Sequence, residues 1–154
     1  MAKKLEVGIK APQFKIPNQD GVNTSLKDFK GQTVVLYFYP RDMTSGCTKQ
    51  ACDFRDVAPK LRKKKIAIVG VSLDSSQRHQ KFISKYDLNF QLLADEDAKV
   101  SKAYGVYKAK SLYGHKFMGI ERTTFVIDPN GKIAKIFPKV KVIGHIDAVL
   151  ETLN

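Results

Sequence analysis

The stretch Thr33-Val34-Val35-Leu36-Tyr37-Phe38-Tyr39-Pro40-Arg41-Asp42-Met43-Thr44-Ser45-Gly46-Cys47-Thr48 decides the fold class. Its first seven residues are β-branched, aliphatic or aromatic with no polar alternation, the pattern of a central strand covered on both faces. Pro40 ends that strand, because it brings no N–H to the ladder. Past a polar loop, Ala51, Phe54, Arg55, Ala58 and Leu61 recur at helical spacing, so the segment Thr48 to Lys64 reads as a helix. The basic run Arg62 to Lys65 sits where the helix dipole favours cations. Pro59 lies inside the pattern and leaves two readings, one long helix or a helix that stops near Val57 and resumes as a separate turn.

Working outward, Ile66 to Ser72 is a second buried strand, and Asp74-Ser75-Ser76 offers caps for a helix through Phe82, Ile83 and Tyr86. Strands separated by helices in this order run parallel. Leu92-Leu93 marks a short strand and Ala98 to Tyr104 a short helix. Thr123 to Ile127 pairs antiparallel with Ile133 to Phe137 across Asp128-Pro129-Asn130-Gly131, and a last helix spans about His145 to Leu153. At the other end, Phe14 to Ile16 and Val22 to Thr24 flank Asn18-Gln19-Asp20-Gly21, a hairpin signal, and Ser25 is placed to cap a short helical turn. The sum is an α/β protein whose central mixed β-sheet is flanked by helices, with an N-terminal β-hairpin. Thioredoxin-like folds have this set of elements.

The chain has 154 residues, 43% of them hydrophobic and 27% charged. That balance excludes a disordered or fibrous chain and predicts one domain over residues 1–154. Lys and Arg total 27 against 15 acids, a formal +12, which suits acidic partners or simply keeps the protein soluble. The basic start Met1-Ala2-Lys3-Lys4 meets no apolar stretch of signal-peptide length, and the longest apolar run, Val34 to Tyr39, is strand-sized. With two cysteines, too few for a secreted disulfide scaffold, the expected compartment is the cytoplasm, with no membrane contact. Arg62 to Lys65 has no aromatic platform beside it, so a solvated helix end is preferred to a nucleic-acid contact. Asp95-Glu96-Asp97 reads as solvated helix capping rather than a cation site.

The loop after Tyr39 lies at a strand's carboxyl end and before a helix, where open α/β sheets place their ligands. Cys47 falls in the first helical turn, where unpaired N–H groups and the positive dipole end favour a nucleophilic thiolate. The competing reading is a buried, inert cysteine; the polar loop around it favours reactivity. Cys52 follows five residues later, which on an intact helix puts the two Cα atoms roughly 8 to 9 Å apart and about 140° around the axis. No disulfide spans that separation, so a bond between the two would require the first turns to unwind. The pair is not a Cys-x-x-Cys exchanger, and His79, His115 and His145 lack ligand-like spacing to either thiol.

Pro40-x-x-x-Thr44-x-x-Cys47 resembles the active-site signature of peroxiredoxins, thiol peroxidases of thioredoxin-like fold. The longer match, Phe38-Tyr39-Pro40 through Gly46-Cys47-Thr48 to Ala51-Cys52-Asp53-Phe54-Arg55-Asp56, resembles the bacterioferritin comigratory protein or peroxiredoxin Q subfamily. Similarity continues at Gly8 to Phe14, Ser25 to Gly31, Arg122 to Asp128 and Val140 to His145. Ser45 departs from the proline often found there, while Gln50 does not depart, since the family accepts Glu or Gln.

The resemblance implies that Cys47 is the peroxidatic nucleophile and Cys52 the resolving thiol, joined during turnover as an intramolecular disulfide. It further implies that Thr44, the backbone at Cys47 and Arg122 stabilise the reacting oxygens, and that Pro40 shields the cysteine. Thr44 also suits helix initiation, and Arg122 by composition is one surface cation among many; both readings stand beside the implied roles. The implied substrates are hydrogen peroxide and organic hydroperoxides, the implied reductant thioredoxin or a similar dithiol, and the implied setting a monomer in antioxidant defence. No metal, haem or flavin cofactor is implied. Two rivals remain at this level, a basic DNA-associated module with incidental thiols and a protein disulfide oxidoreductase.

Overall fold

Alternate residues of the Thr33 to Tyr39 run face opposite sides of the sheet, and both sides are dry. Val34, Leu36 and Phe38 join one core with Phe14, Leu26, Tyr104 and Phe125, while Val35, Tyr37 and Tyr39 join a second with Ala51, Phe54, Leu61, Phe82 and Val149. In the computed structural model, which describes residues 5–153, this run forms the middle strand of five. The basic start at Met1 to Lys4 lies outside the described residues.

The chain opens with a hairpin, β1 (Lys15–Pro17) against β2 (Asn23–Ser25), and a 3₁₀ turn at Leu26–Phe29. Ser25 and Asp28 close a capping box on that turn. Next come β3 (Thr33–Phe38), α1 (Ser45–Lys63), β4 (Ile66–Ser72), α2 (Ser76–Tyr86), β5 (Gln91–Ala94) and α3 (Lys99–Ala103). The remainder is β6 (Tyr107–Leu112), β7 (His115–Ile120), β8 (Thr123–Ile127), β9 (Ile133–Phe137) and α4 (His145–Leu153). The central sheet has the order β5-β4-β3-β8-β9. Its β3–β4 and β4–β5 pairs are parallel, and β3–β8 and β8–β9 are antiparallel. The α/β class, the mixed sheet and the N-terminal hairpin are all as the sequence indicates.

Of the two readings at Pro59, the structure has the continuous helix: α1 runs unbroken to Lys63 with Pro59 inside it. Proline at this position leaves the carbonyl four residues earlier, that of Arg55, without its helical donor. The Asn89 side-chain amide donates to that oxygen at 3.1 Å, and the Arg55 guanidinium returns a bond to Tyr86 O at 2.7 Å. A residue on the α2–β5 connection therefore repairs the helix.

Two details differ from the sequence reading. Asp95 is fully buried rather than solvated, its carboxylate accepting from the amides of Val100 and Ser101 and from the Ser101 hydroxyl. It does cap α3, but from inside the protein. The β6–β7 hairpin is an element the sequence reading lacked. Tyr113 and Gly114 form its two-residue turn, both with positive φ (50° and 78°), the geometry that matches strand twist.

α4 is tied to the sheet through His145. The imidazole Nε2 shares a 2.8 Å hydrogen bond with Thr124 Oγ1, and the ring meets Phe137 and Phe54 edge-on. Burial first, and then the nearby Arg122 guanidinium, hold the imidazole down to about 4 from its ordinary 6.5. Below pH 6.5 the unfolded chain takes up this proton and the folded chain does not. The stability His145 supplies is thus complete above pH 6.5 and drains away as the pH falls toward 4.

Two outcomes are expected. Asn89→Ala should lower stability by about 1 to 2 kcal/mol in urea denaturation, because the Arg55 carbonyl loses its partner. Between pH 6.5 and 4 the wild type should lose on the order of 2 kcal/mol more than His145→Gln does, a difference that isolates this imidazole from the carboxylates.

Candidate active site

β3 delivers the chain to the carboxyl end of the sheet, where Tyr39 makes one further bond, its amide donating to Val71 O at 3.0 Å. Half-buried Pro40 cannot extend the ladder, and the chain turns away. Thr44 takes the N-cap position of α1 with extended backbone, so Ser45, Gly46 and Cys47 are its first three residues. Amides in this turn have no helical acceptors and point out of the helix end. The Thr44 hydroxyl does not bond to them; it donates back to Arg41 O at 3.0 Å.

Cys47 is 1% exposed, packed with Tyr37, Tyr39, Ala51 and Phe54. Arg122 arrives from the short link between β7 and β8, and its Nη2 donates to Cys47 Sγ at 3.1 Å. The other arm of the guanidinium, Nη1, donates to Gln50 Oε1. Gln50 is three residues after Cys47, on the same face of α1, and is 2% exposed. A side chain at Gly46 would begin 3.5 Å from Arg122 Nη2 and 3.9 Å from Val142 Cγ2, so the guanidinium and Val142 both lie over the first turn. Backbone holds Arg122 in turn, its carbonyl accepting from Val140 N at 2.8 Å.

This cation acts beyond the sulfur. Half-buried Lys110 on β6 is held below its ordinary range by burial and then by Arg122. Tyr37 and Tyr39 are held well above the usual phenol range, by burial first and then by Asp42, so both stay protonated. Asp42 itself is buried in the loop between Pro40 and Thr44. Its carboxylate accepts from the Tyr39 hydroxyl and meets His79 Nδ1 at 2.6 Å.

Cys52 is half-buried on the same helix, and both cysteines are free thiols. Because α1 is continuous from Ser45 past Cys52, the helical separation anticipated from the spacing holds in this state.

Cys47, Arg122 and the Thr44 cap position therefore come together, with Pro40 at the entrance of the loop, and Cys52 stands apart. Sequence reasoning gave Gln50 no role, missed Asp42, and weighed His79 only as a metal ligand, which it set aside. The i, i+3 spacing from Cys47 is the signal that would have marked Gln50. Nothing local marks a contact across 37 residues such as Asp42 to His79.

The AhpC/TSA family model matches residues 7–136. The chain is 51% identical to a putative peroxiredoxin Bcp of Coxiella burnetii, over 97% of this chain and 99% of that one. It is 46% identical to the peroxiredoxin Bcp of Bacillus subtilis, over 97% and 96% respectively. Among solved structures, a Xanthomonas campestris bacterioferritin comigratory protein, studied for alkyl peroxide reduction, superposes with TM-score 0.89 at 37% identity, covering 96% of this chain and 97% of that one. A Xylella fastidiosa peroxiredoxin Q variant superposes with TM-score 0.92 at 33% identity, covering 98% and 96%. Likeness of this depth spans both the strand that ends at Pro40 and the helix that carries Cys47. The chain belongs to the AhpC/TSA family and is a peroxiredoxin of the Bcp or peroxiredoxin Q group, an enzyme that reduces peroxides with a cysteine thiol.

Proposed function

We propose that Cys47 is the peroxidatic residue of this peroxidase and Cys52 its resolving partner. The observation that carries the reading is the Arg122 Nη2 donor 3.1 Å from Cys47 Sγ, at the mouth of α1. A guanidinium N–H directed at sulfur is a charge-assisted donor, and the free amides of the first turn add partial positive charge on the same side.

In the first step the thiolate attacks one peroxide oxygen along the O–O axis. An S–O bond forms, the O–O bond breaks, and the departing alkoxide or hydroxide takes a proton to leave as alcohol or water. Negative charge moves from sulfur to oxygen, so donors that sit beside both atoms stabilise the transition state more than the ground state. Arg122 and the Cys47 amide fill that role, and Thr44, whose hydroxyl oxygen keeps acceptor capacity while it donates to Arg41 O, orients the peroxide hydrogen. Pro40 supports the loop and limits water at the sulfur.

In the second step the Cys52 thiol attacks the Cys47 sulfenic acid, an S–S bond forms and water leaves. A dithiol reductant, of which thioredoxin is the one we favour, then reopens the bond by exchange. Alkyl peroxide reduction in the Xanthomonas relative supports organic hydroperoxides as substrates beside hydrogen peroxide. We place the enzyme as a cytoplasmic monomer in antioxidant defence, one domain over residues 1–154. No described helix is long and apolar enough to cross a membrane.

Cys47→Ser should consume no peroxide. Cys52→Ser should still form one sulfenic acid per chain, by intact mass after one equivalent of peroxide, but lose turnover with thioredoxin. Arg122→Ala should slow sulfenic acid formation about 100-fold in stopped-flow competition assays, the usual effect of removing one transition-state donor. An unchanged rate would remove Arg122 from the site.

A further inference from the structure

Asp42 is held from three directions although it sits in a loop. One carboxylate oxygen accepts from the Tyr39 hydroxyl, at the end of the β3 segment, and the other meets His79 Nδ1 of α2 at 2.6 Å. Its amide donates to Asp74 Oδ2 at 2.8 Å, an oxygen that also accepts from Ser72 Oγ at 2.7 Å. The far side of the imidazole faces a carbonyl, with Nε2 2.9 Å from Leu93 O. A carbonyl cannot donate, so Nε2 carries a hydrogen. The Nδ1 to Asp42 contact must then hold a proton of its own, as an ion pair or as a carboxylic acid donating to nitrogen. Asp42 and His79 are 1% and 0% exposed, and a contact of either kind, cut off from water, leaves a stranded polar group if one partner is removed. Asp74 and Arg78 are the other charged groups at this junction, with Arg78 Nε 2.9 Å from Asp74 Oδ1.

The chain immediately beyond is fastened lightly. Met43 has φ +66°, a left-handed conformation that costs a non-glycine residue about 1 kcal/mol or more. Thr44 and Ser45 are exposed, the Thr44 side chain does not cap α1, and the first turn holds no acidic residue. The buried polar junction therefore ends at Asp42; beyond it Met43 is only half-buried against the core, and the side-chain contacts that hold the first turn are those of Cys47.

We propose that the buried Asp42–His79 pair, with Tyr39, is the positioning device that stops unwinding at Met43 and thereby sets how fast oxidised Cys47 reaches Cys52. The proposal rests on the resolving role given to Cys52 above. Resolution is attack of the Cys52 sulfur on the Cys47 sulfenic sulfur; the S–S bond forms, the S–O bond breaks, and hydroxide leaves with the Cys52 proton as water. The attack needs the first turns of α1 undone, and further oxidation to sulfinic acid competes whenever they stay folded. With the pin in place, few residues are released and refolding is quick. Without it the released segment lengthens and the unwound state gains entropy.

The test compares wild type with His79→Leu, His79→Asn and Tyr39→Phe. Each is given one equivalent of peroxide, quenched over time and mapped by mass, then repeated with excess peroxide. In His79→Leu the disulfide-forming rate constant should rise about tenfold and the sulfinic fraction fall, the loss of one buried hydrogen bond's worth of restraint. His79→Asn keeps a donor near the Nδ1 position and should return most of the way to wild type. Tyr39→Phe keeps the ring packing, removes one bond to Asp42, and should shift both readouts the same way by about threefold even if His79→Leu does not fold. In the oxidised wild type, hydrogen exchange should leave the Asp42 amide, bonded to Asp74, protected while the helical amides from Thr48 to Ala51 lose protection.

Wild-type rates in Tyr39→Phe and in any folded His79 variant would overturn the proposal while leaving Cys52 as the resolving thiol, and so would loss of protection at Asp42 in the oxidised wild type. A wild type that forms no Cys47–Cys52 bond would instead overturn the resolving role, and the proposal with it.

Discussion

The sulfur of Cys47 lies in an apolar wall, and a guanidinium from 75 residues away in the chain donates to it. That meeting depends on strand register. In the β3–β8 pair Phe38 stands opposite Thr123, so the next residues outward, Tyr39 and Arg122, leave the sheet at the same level and on the same edge. From there β3 passes through Pro40 into α1, and the arginine reaches the helix mouth from the side. A slip of one residue in the antiparallel pairing would turn every β8 side chain to the opposite face, and Arg122 would leave the sulfur. The long-range pairing is thus a condition of the Arg122–Cys47 contact, and the full burial of Thr123 to Ile127 secures it.

Gln50 holds the other arm of the guanidinium without a charge of its own. A carboxylate there would form an ion pair with the guanidinium and cancel much of its field; a neutral amide steers it and leaves the charge in place. Arg122 also lies close enough to bias two neighbouring bases. After burial, Arg122 is the next cause holding His145 down, and the same is true of Lys110.

What was legible in the sequence was what local physics decides. The Val34 to Tyr39 run has no strongly polar residue to face water, so it had to be a central strand, and Pro40 had to end it. Cys47 was legible because its place in a first helical turn follows from the residues around it. The β6–β7 hairpin was not, since its strands are mostly exposed and carry Lys108, Lys110 and Lys116 among scattered apolar residues, and its turn is Tyr-Gly rather than Asn-Gly. Pro59 stayed ambiguous because Asn89, which completes the helix, is distant in sequence. Asp95 looked solvated because acids usually are, and only tertiary packing shows that Val100 and Ser101 enclose its carboxylate. Asp42 failed for the same reason, one acid in a polar loop whose partner lies on another helix.

The two ends of α1 answer to opposite demands. Toward its middle and far end, Phe54, Ala58 and Leu61 are sunk in the core, and Asn89 and the Tyr86 carbonyl hold Arg55, so this part stays folded whenever the protein does. Its first turn has the cation and the free amides that a nucleophile needs, but no side-chain cap and no acid opposite the dipole. An N-terminal Asp or Glu would stabilise that turn by a few tenths to about 1 kcal/mol, and it would also set a negative charge beside Cys47 and oppose the unwinding that a Cys47–Cys52 bond requires. The bare helix start therefore fits both halves of the chemistry we propose. Stability given up at residues 44 to 47 is recovered in the packed core behind them and in the buried junction at Asp42.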